Sequence, residues 1–97
     1  MIQVEWEKSA LDRHEAWALS IALEFTAKHA TSYLNDIQNA ITNIESNPFV
    51  GTEHASPERK NLRRLVTGGR YNVFYELDSI KSPSQAVIIS VVRGSKS

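Results

Sequence analysis

The sequence predicts an α+β two-layer sandwich, in which an N-terminal antiparallel helical hairpin packs on a mainly antiparallel four-stranded sheet in the order β-α-α-β-β-β. Three observations carry it. Ile2, Val4 and Trp6 alternate with Gln3 and Glu5, the period of a half-buried strand. Apolar residues then recur at helical spacing from Leu11 to Ile44. The remainder returns to runs of β-branched and aromatic residues around Gly68-Gly69.

Each element has its own local grounds. Ser9 offers a helix N-cap with Asp12 in capping-box position, and Leu11, His14, Trp17/Ala18, Ile21/Ala22 and Phe25 form one apolar face. Thr26 is the expected cap of a second helix whose stripe is Ala30, Leu34, Ile37, Ile41 and Ile44, and Asn47-Pro48 stops it. So short a link between two helices implies an antiparallel hairpin. Phe49 to Glu58 has no periodicity and reads as a loop. Leu62–Thr67 and Tyr71–Asp78 are strands joined at Gly68-Gly69, with Tyr71, Val73, Tyr75 and Leu77 on one face and Asn72, Phe74 and Glu76 on the other. After a polar turn from Ser79 to Ser84, Ala86–Arg93 is apolar on both faces, as suits a central strand. The first and last strands are both candidates for the sheet interior, and residues 94–97 are expected to be a loose tail.

A chain of 97 residues is one domain, 1–97, with a core large enough to do without staples. It has no cysteine, so a disulfide framework and a thiolate zinc site are both excluded. A hydrophobic fraction of 41% and a charged fraction of 23% suit a soluble globular domain. The longest apolar run, Ala86 to Ile89, is too short to span a bilayer, and the N-terminus lacks a signal-peptide layout. No membrane association is expected, and the expected location is cytoplasmic.

Eleven basic and eleven acidic residues cancel, but unevenly along the chain. Residues 1–58 carry three basic side chains against nine acidic ones, a balance of −6. Residues 59–97 carry eight basic ones against Glu76 and Asp78, a balance of +6. Such a split points to an acidic or polyanionic partner for the second half, and Arg59, Lys60, Arg63, Arg64, Arg70 and Arg93 are the candidate contacts. Arg63 and Arg64 point to opposite faces of their strand, so only one of them can join Arg70 or Arg93 on a common surface.

Several segments in order resemble the RelE/ParE toxin superfamily. They are Val4-Glu5-Trp6-Glu7-Lys8-Ser9-Ala10, Tyr33-Leu34-Asn35-Asp36-Ile37, Asn47-Pro48-Phe49-Val50-Gly51, Leu62-Arg63-Arg64-Leu65, Gly69-Arg70-Tyr71-Asn72-Val73-Phe74-Tyr75 and Ile88-Ile89-Ser90-Val91-Val92-Arg93-Gly94. The resemblance implies the toxin of a bacterial type II toxin–antitoxin module, with the same fold. It also implies growth arrest, plasmid stabilisation and a cognate antitoxin that folds on binding and is expected to be acidic. The superfamily divides between RelE-like enzymes that cleave messenger RNA on the ribosome and ParE-like members similar to gyrase poisons.

Cleavage of RNA by its own 2′-OH requires a base, cations at the phosphate and an acid for the leaving oxygen, with no metal or cofactor. Arg63 falls near a substrate-binding cation of the RNase branch, and Arg93 near its C-terminal basic position. Asn72 stands where that branch carries a charge-stabilising Arg, and no Tyr or His follows Arg93. The set is incomplete unless Arg70 supplies charge and His54 or Tyr71 moves protons. The sequence therefore leans to a non-enzymatic, ParE-like inhibitor of DNA gyrase, with a ribosome-dependent mRNA endoribonuclease as the alternative.

His54, in the loop with Glu53 and Glu58, is the one histidine placed for acid–base work. His14 lies on the apolar face and is expected to pack, and positions 14, 29 and 54 have no metal-ligand spacing. Trp6, Trp17, Tyr33, Phe74 and Tyr75 are expected in the core, while Tyr71 beside the turn could stack on a base.

Overall fold

The computed structural model describes residues 1–94. Its elements are β1 (Gln3–Trp6), α1 (Lys8–Glu24), α2 (Ala27–Ser46), β2 (Thr52–Glu53), β3 (Leu62–Thr67), β4 (Tyr71–Leu77) and β5 (Gln85–Arg93). The two helices form the expected hairpin on one face of the sheet. That sheet is five-stranded in the order β1-β5-β4-β3-β2, with β1 parallel to β5 and the other neighbours antiparallel. The added strand, β2, lies in the expected loop, where Thr52 pairs with Arg64 and Glu53 with Arg63. Two residues are too few to carry an alternation pattern.

β5 is interior, flanked by β1 and β4, whereas β1 is an edge rather than an interior strand. An edge suits a four-residue strand whose Gln3 and Glu5 are exposed. Between β4 and β5 the register slips by one residue, with Phe74 opposite Ser90 but Tyr75 opposite Ile88. Ile89 is the extra residue, so Ile88 and Val91, three positions apart, both lie opposite core-facing residues of β4.

The first helix starts earlier than Ser9. Glu7 still belongs to the extended chain, because its N–H donates to the Ile88 carbonyl at 2.9 Å, and α1 begins immediately after it. Ser9 therefore sits within the first turn and caps nothing. Thr26 caps α2 as expected, its Oγ1 accepting the His29 N–H at 3.1 Å. At the β3–β4 hairpin, Gly68 and Gly69 have φ of +61° and +69°, and Arg70 N–H closes the turn on the Thr67 carbonyl at 3.2 Å.

The core lies between the hairpin and the sheet. β4 gives it Tyr71, Val73, Tyr75 and Leu77, β5 gives Ala86 and Ile88, and α1 gives Ile21. On α2 the buried line is Ala30, Tyr33, Ile37, Ala40 and Ile44, so Ala30, Ile37 and Ile44 are buried as expected while Tyr33 and Ala40 take the places expected of Leu34 and Ile41. Leu34 is 44% exposed and Ile41 is half-buried on its shoulder. Three other expected core residues differ. Phe25 is the C-cap of α1 and 60% exposed, Ala22 is exposed, and Phe74 lies half-buried on the sheet face away from the helices. Trp6 and Trp17 pack at the core margin. Of the expected loose tail, Gly94 donates its N–H to the Arg70 carbonyl at 2.6 Å, and residues 95–97 lie outside the described residues. Among the described residues no helix is long and apolar enough to cross a membrane.

Candidate functional site

The basic residues of the second half do not form one patch. Arg59 folds back over the open face of the sheet, where its guanidinium meets Glu7 Oε2 at 3.1 Å and Glu76 Oε1 at 3.4 Å. Arg63 holds the chain after α2: its Nε donates to the Gly51 carbonyl at 2.7 Å and Nη2 to that of Phe49 at 3.3 Å. Its guanidinium carbon also lies 5.3 Å from the centre of the Phe49 ring. Both side chains are thus committed within the molecule. Lys60, Arg64, Arg70 and Arg93 are exposed, and among the described residues no ion pair engages them. Arg64, paired with Phe74, belongs to the open face, while Arg70 and Arg93 stand at the hairpin end of the sheet.

Arg70 and Arg93 line one cleft of about 250 Å³, with Trp17, Phe25, His29, Tyr33, Asp36 and Tyr71 among its other residues. The fold gathers them from four elements. Tyr71 and Arg93 are direct cross-strand partners and so share the face toward the helices. The end of α1 and the start of α2 supply the other walls. Gly68 sets the distance between the β3–β4 hairpin and α2, because a Cβ there would run into the Asp36 carboxylate. The Thr67 hydroxyl locks that contact by donating to the Asp36 backbone carbonyl at 2.8 Å.

The floor of the cleft is aromatic and its hydroxyls are engaged. Tyr33 and Tyr71 meet edge to face at 4.8 Å, and the Trp17 indole N–H donates to the Tyr71 hydroxyl at 3.5 Å. The Tyr33 hydroxyl lies 2.7 Å from Nδ1 of His14, whose ring stacks on Trp6 at 4.6 Å. Burial lowers the His14 pKa against a smaller opposing effect of Glu15. Burial also raises the Tyr33 pKa, and the neighbouring Tyr71 adds to the rise. The pair therefore stays neutral, joined by one hydrogen bond between the Tyr33 hydroxyl and His14 Nδ1.

The residues considered for proton transfer are not brought together. His54 lies on the open face, its ring edge-on to Phe74 at 5.1 Å. Tyr71 is buried on the opposite face under Trp17, so it is closed to base stacking from solvent. Arg70 lies with Tyr71 and Arg93, with the sheet between it and His54. The site instead offers two cations and one carboxylate at the mouth of an aromatic cleft, an arrangement suited to binding. Among the described residues no group of three or more His, Asp or Glu side chains could hold a metal ion.

Sequence reasoning missed Trp17, Phe25, His29 and Asp36 as lining residues. The available signal was the Trp17-Ile21-Phe25 spacing, which carries an aromatic residue past the last turn of α1 to the end where Arg70 and Arg93 emerge.

This topology, a helical hairpin packed on one face of the sheet, is the RelE/ParE-type fold. Residues 4–97 match the family described as the ParE toxin of the type II toxin–antitoxin system parDE, and the chain belongs to that family. Nine chains of solved structures match it. One is from the chromosomal ParDE toxin–antitoxin system of P. aeruginosa, with a TM-score of 0.74, 14% identity and coverage of 98% of each chain. At that identity the likeness speaks for the fold. No curated protein matches the chain.

Proposed function

We propose that this ParE-family toxin arrests growth in the cytoplasm by binding DNA gyrase, without chemistry of its own, and that an acidic antitoxin segment neutralises it by folding onto the toxin. The carrying observation is the separation of His54 from Tyr71 and Arg70 by the sheet. A cleavage reaction needs its base, acid and charge-stabilising groups around one phosphate. Here the cations that face solvent together, Arg70 and Arg93, flank an aromatic cleft whose tyrosine hydroxyls are already hydrogen-bonded. Family membership supports the same reading.

The test sets the two targets side by side with purified toxin: gyrase supercoiling and cleavage-complex formation against primer extension on translating ribosomes. Inhibited supercoiling with intact transcripts is expected. Codon-dependent cuts abolished by Arg70→Ala would establish the endoribonuclease instead.

A further inference from the structure

The geometry points to the cleft between Trp17, Phe25 and Arg70/Arg93 as an anchor site for one apolar–acidic residue pair of the antitoxin. This rests on the toxin–antitoxin reading above and names the place and chemistry of the contact. Phe25, 60% exposed at the C-cap of α1, and the half-buried Trp17 give apolar walls that no described element covers. Tyr33 and Tyr71 close the floor with their rings, the Tyr33 hydroxyl bonded to His14 and the Tyr71 hydroxyl accepting from Trp17, so the depth of the cleft offers aromatic faces to an apolar side chain. Above it, the guanidinium groups of Arg70 and Arg93, which no ion pair engages among the described residues, suit a carboxylate one position along the same peptide.

Asp36 decides against a nucleic acid. Its carboxylate lines this cleft and also the adjoining depression beside Lys28 and Arg70, where it would oppose a phosphate backbone at close range. A single carboxylate brings one negative charge near Asp36 where a phosphate backbone brings several, and two guanidinium groups line the same cleft. The charge of residues 59–97 agrees with an acidic partner, and Arg70 and Arg93 carry it where an apolar anchor can bind beside it.

The test is a titration of the isotope-labelled full chain, followed through the indole N–H signals of Trp17 and Trp6. The probes are N-acetyl-Phe-Glu-amide, N-acetyl-Phe-Gln-amide and a thymidylate hexanucleotide. The Phe-Glu probe should shift Trp17 and leave Trp6 in place, with a dissociation constant on the order of 1 mM for so small a ligand. The Phe-Gln probe should bind at least roughly fivefold more weakly. Joint reversal of Arg70 and Arg93 to Glu should weaken the Phe-Glu probe by roughly tenfold or more, and Phe25→Ser should do so without touching a charge. Joint reversal of Lys60 and Arg64, an equal change of charge elsewhere, should leave binding within about twofold.

Equal loss in the two double variants, an unmoved Trp17, or tighter binding of the hexanucleotide than of the Phe-Glu probe would overturn the assignment. Growth arrest by the unaltered chain is scored separately. Arrest without dipeptide binding rejects the cleft alone. Dipeptide binding without arrest or gyrase inhibition rejects the functional reading and leaves the anchor chemistry standing.

Discussion

Tyr75 is fully buried, yet its hydroxyl donates to the Pro48 carbonyl at 2.7 Å and accepts the Gly51 N–H at 2.9 Å. It thereby fixes the path of Asn47-Pro48-Phe49-Val50-Gly51 as the chain leaves α2. Gly51 is required by the same contact, since a Cβ would stand 2.8 Å from that hydroxyl oxygen and 2.9 Å from the Arg64 carbonyl. Tyr75→Phe leaves one donor and one acceptor unpaired, and should cost about 1–3 kcal/mol in urea unfolding with little change in the slope of the transition. His14 adds a dependence on pH. Its folded pKa lies below the ordinary imidazole value because burial disfavours the cation, so folding favours the neutral ring. The charge acting on it is that of Glu15 on its own helix, while Trp6 and Tyr33, which touch it from β1 and α2, are neutral. The stabilisation is complete above the unfolded pKa of about 6.5 and is lost as pH falls through the lower folded value. The urea midpoint should therefore fall between pH 7.5 and 5, and His14→Phe should flatten that fall. An equal fall in the variant would assign the dependence elsewhere.

At the scale of elements, periodicity reveals that a helix exists more reliably than which of two adjacent apolar lines is buried. On α2 the residues 30, 34, 37, 41 and 44 all look apolar, but Tyr33 and Ala40 turn inward while Leu34 and Ile41 sit on the shoulder. A small alanine and an aromatic residue with a hydroxyl are weak hydropathy signals. Alanine nonetheless lets the helix approach the sheet closely, and the Tyr33 hydroxyl has its partner in His14. The strands were more legible, because alternation in β4 and the Gly-Gly turn leave one register. β2 was illegible for the opposite reason: its two residues are fixed by β3 alongside rather than by a pattern of their own. The cleft was legible only in part, as Arg70 and Arg93, because its aromatic walls come from α1 and α2, distant in sequence. The burial order gives a direct check. Ile44→Ala should destabilise by about 2–5 kcal/mol, as expected for a fully buried isoleucine, and half-buried Ile41→Ala by clearly less. The reverse order in thermal or urea unfolding would mean that the helix is rotated from this position.

Across the whole molecule, the opposed charges of the two halves meet within the fold as well as at its surface. Arg59 links the basic half to Glu7 on the acidic side and to Glu76 on β4, drawing the 54–61 segment over the open face. These groups are about a third exposed, at 35% for Arg59, 39% for Glu7 and 31% for Glu76, so solvent screening limits each link to roughly 0–1 kcal/mol. Arg63 does more, because its hydrogen bonds close backbone carbonyls of the segment that Tyr75 also holds. The six basic candidates thus divide by their measurable consequences. Arg63→Ala should lower stability by about 1–3 kcal/mol through lost hydrogen bonds, and Arg59→Ala by about 1 kcal/mol or less. Arg70→Ala and Arg93→Ala should leave the melting temperature within about 2–4 °C, since surface changes of this kind fall within about 0.5 kcal/mol, while their growth arrest or its neutralisation changes. Melting curves and growth arrest on the same four variants check the division. If Arg63→Ala melts like the unaltered chain but loses toxicity, or if the melting temperature falls sharply without Arg70, the solvent-facing and fold-supporting roles have been exchanged. The working surface would then lie at the Gly51 end of the sheet rather than at the Gly68-Gly69 hairpin.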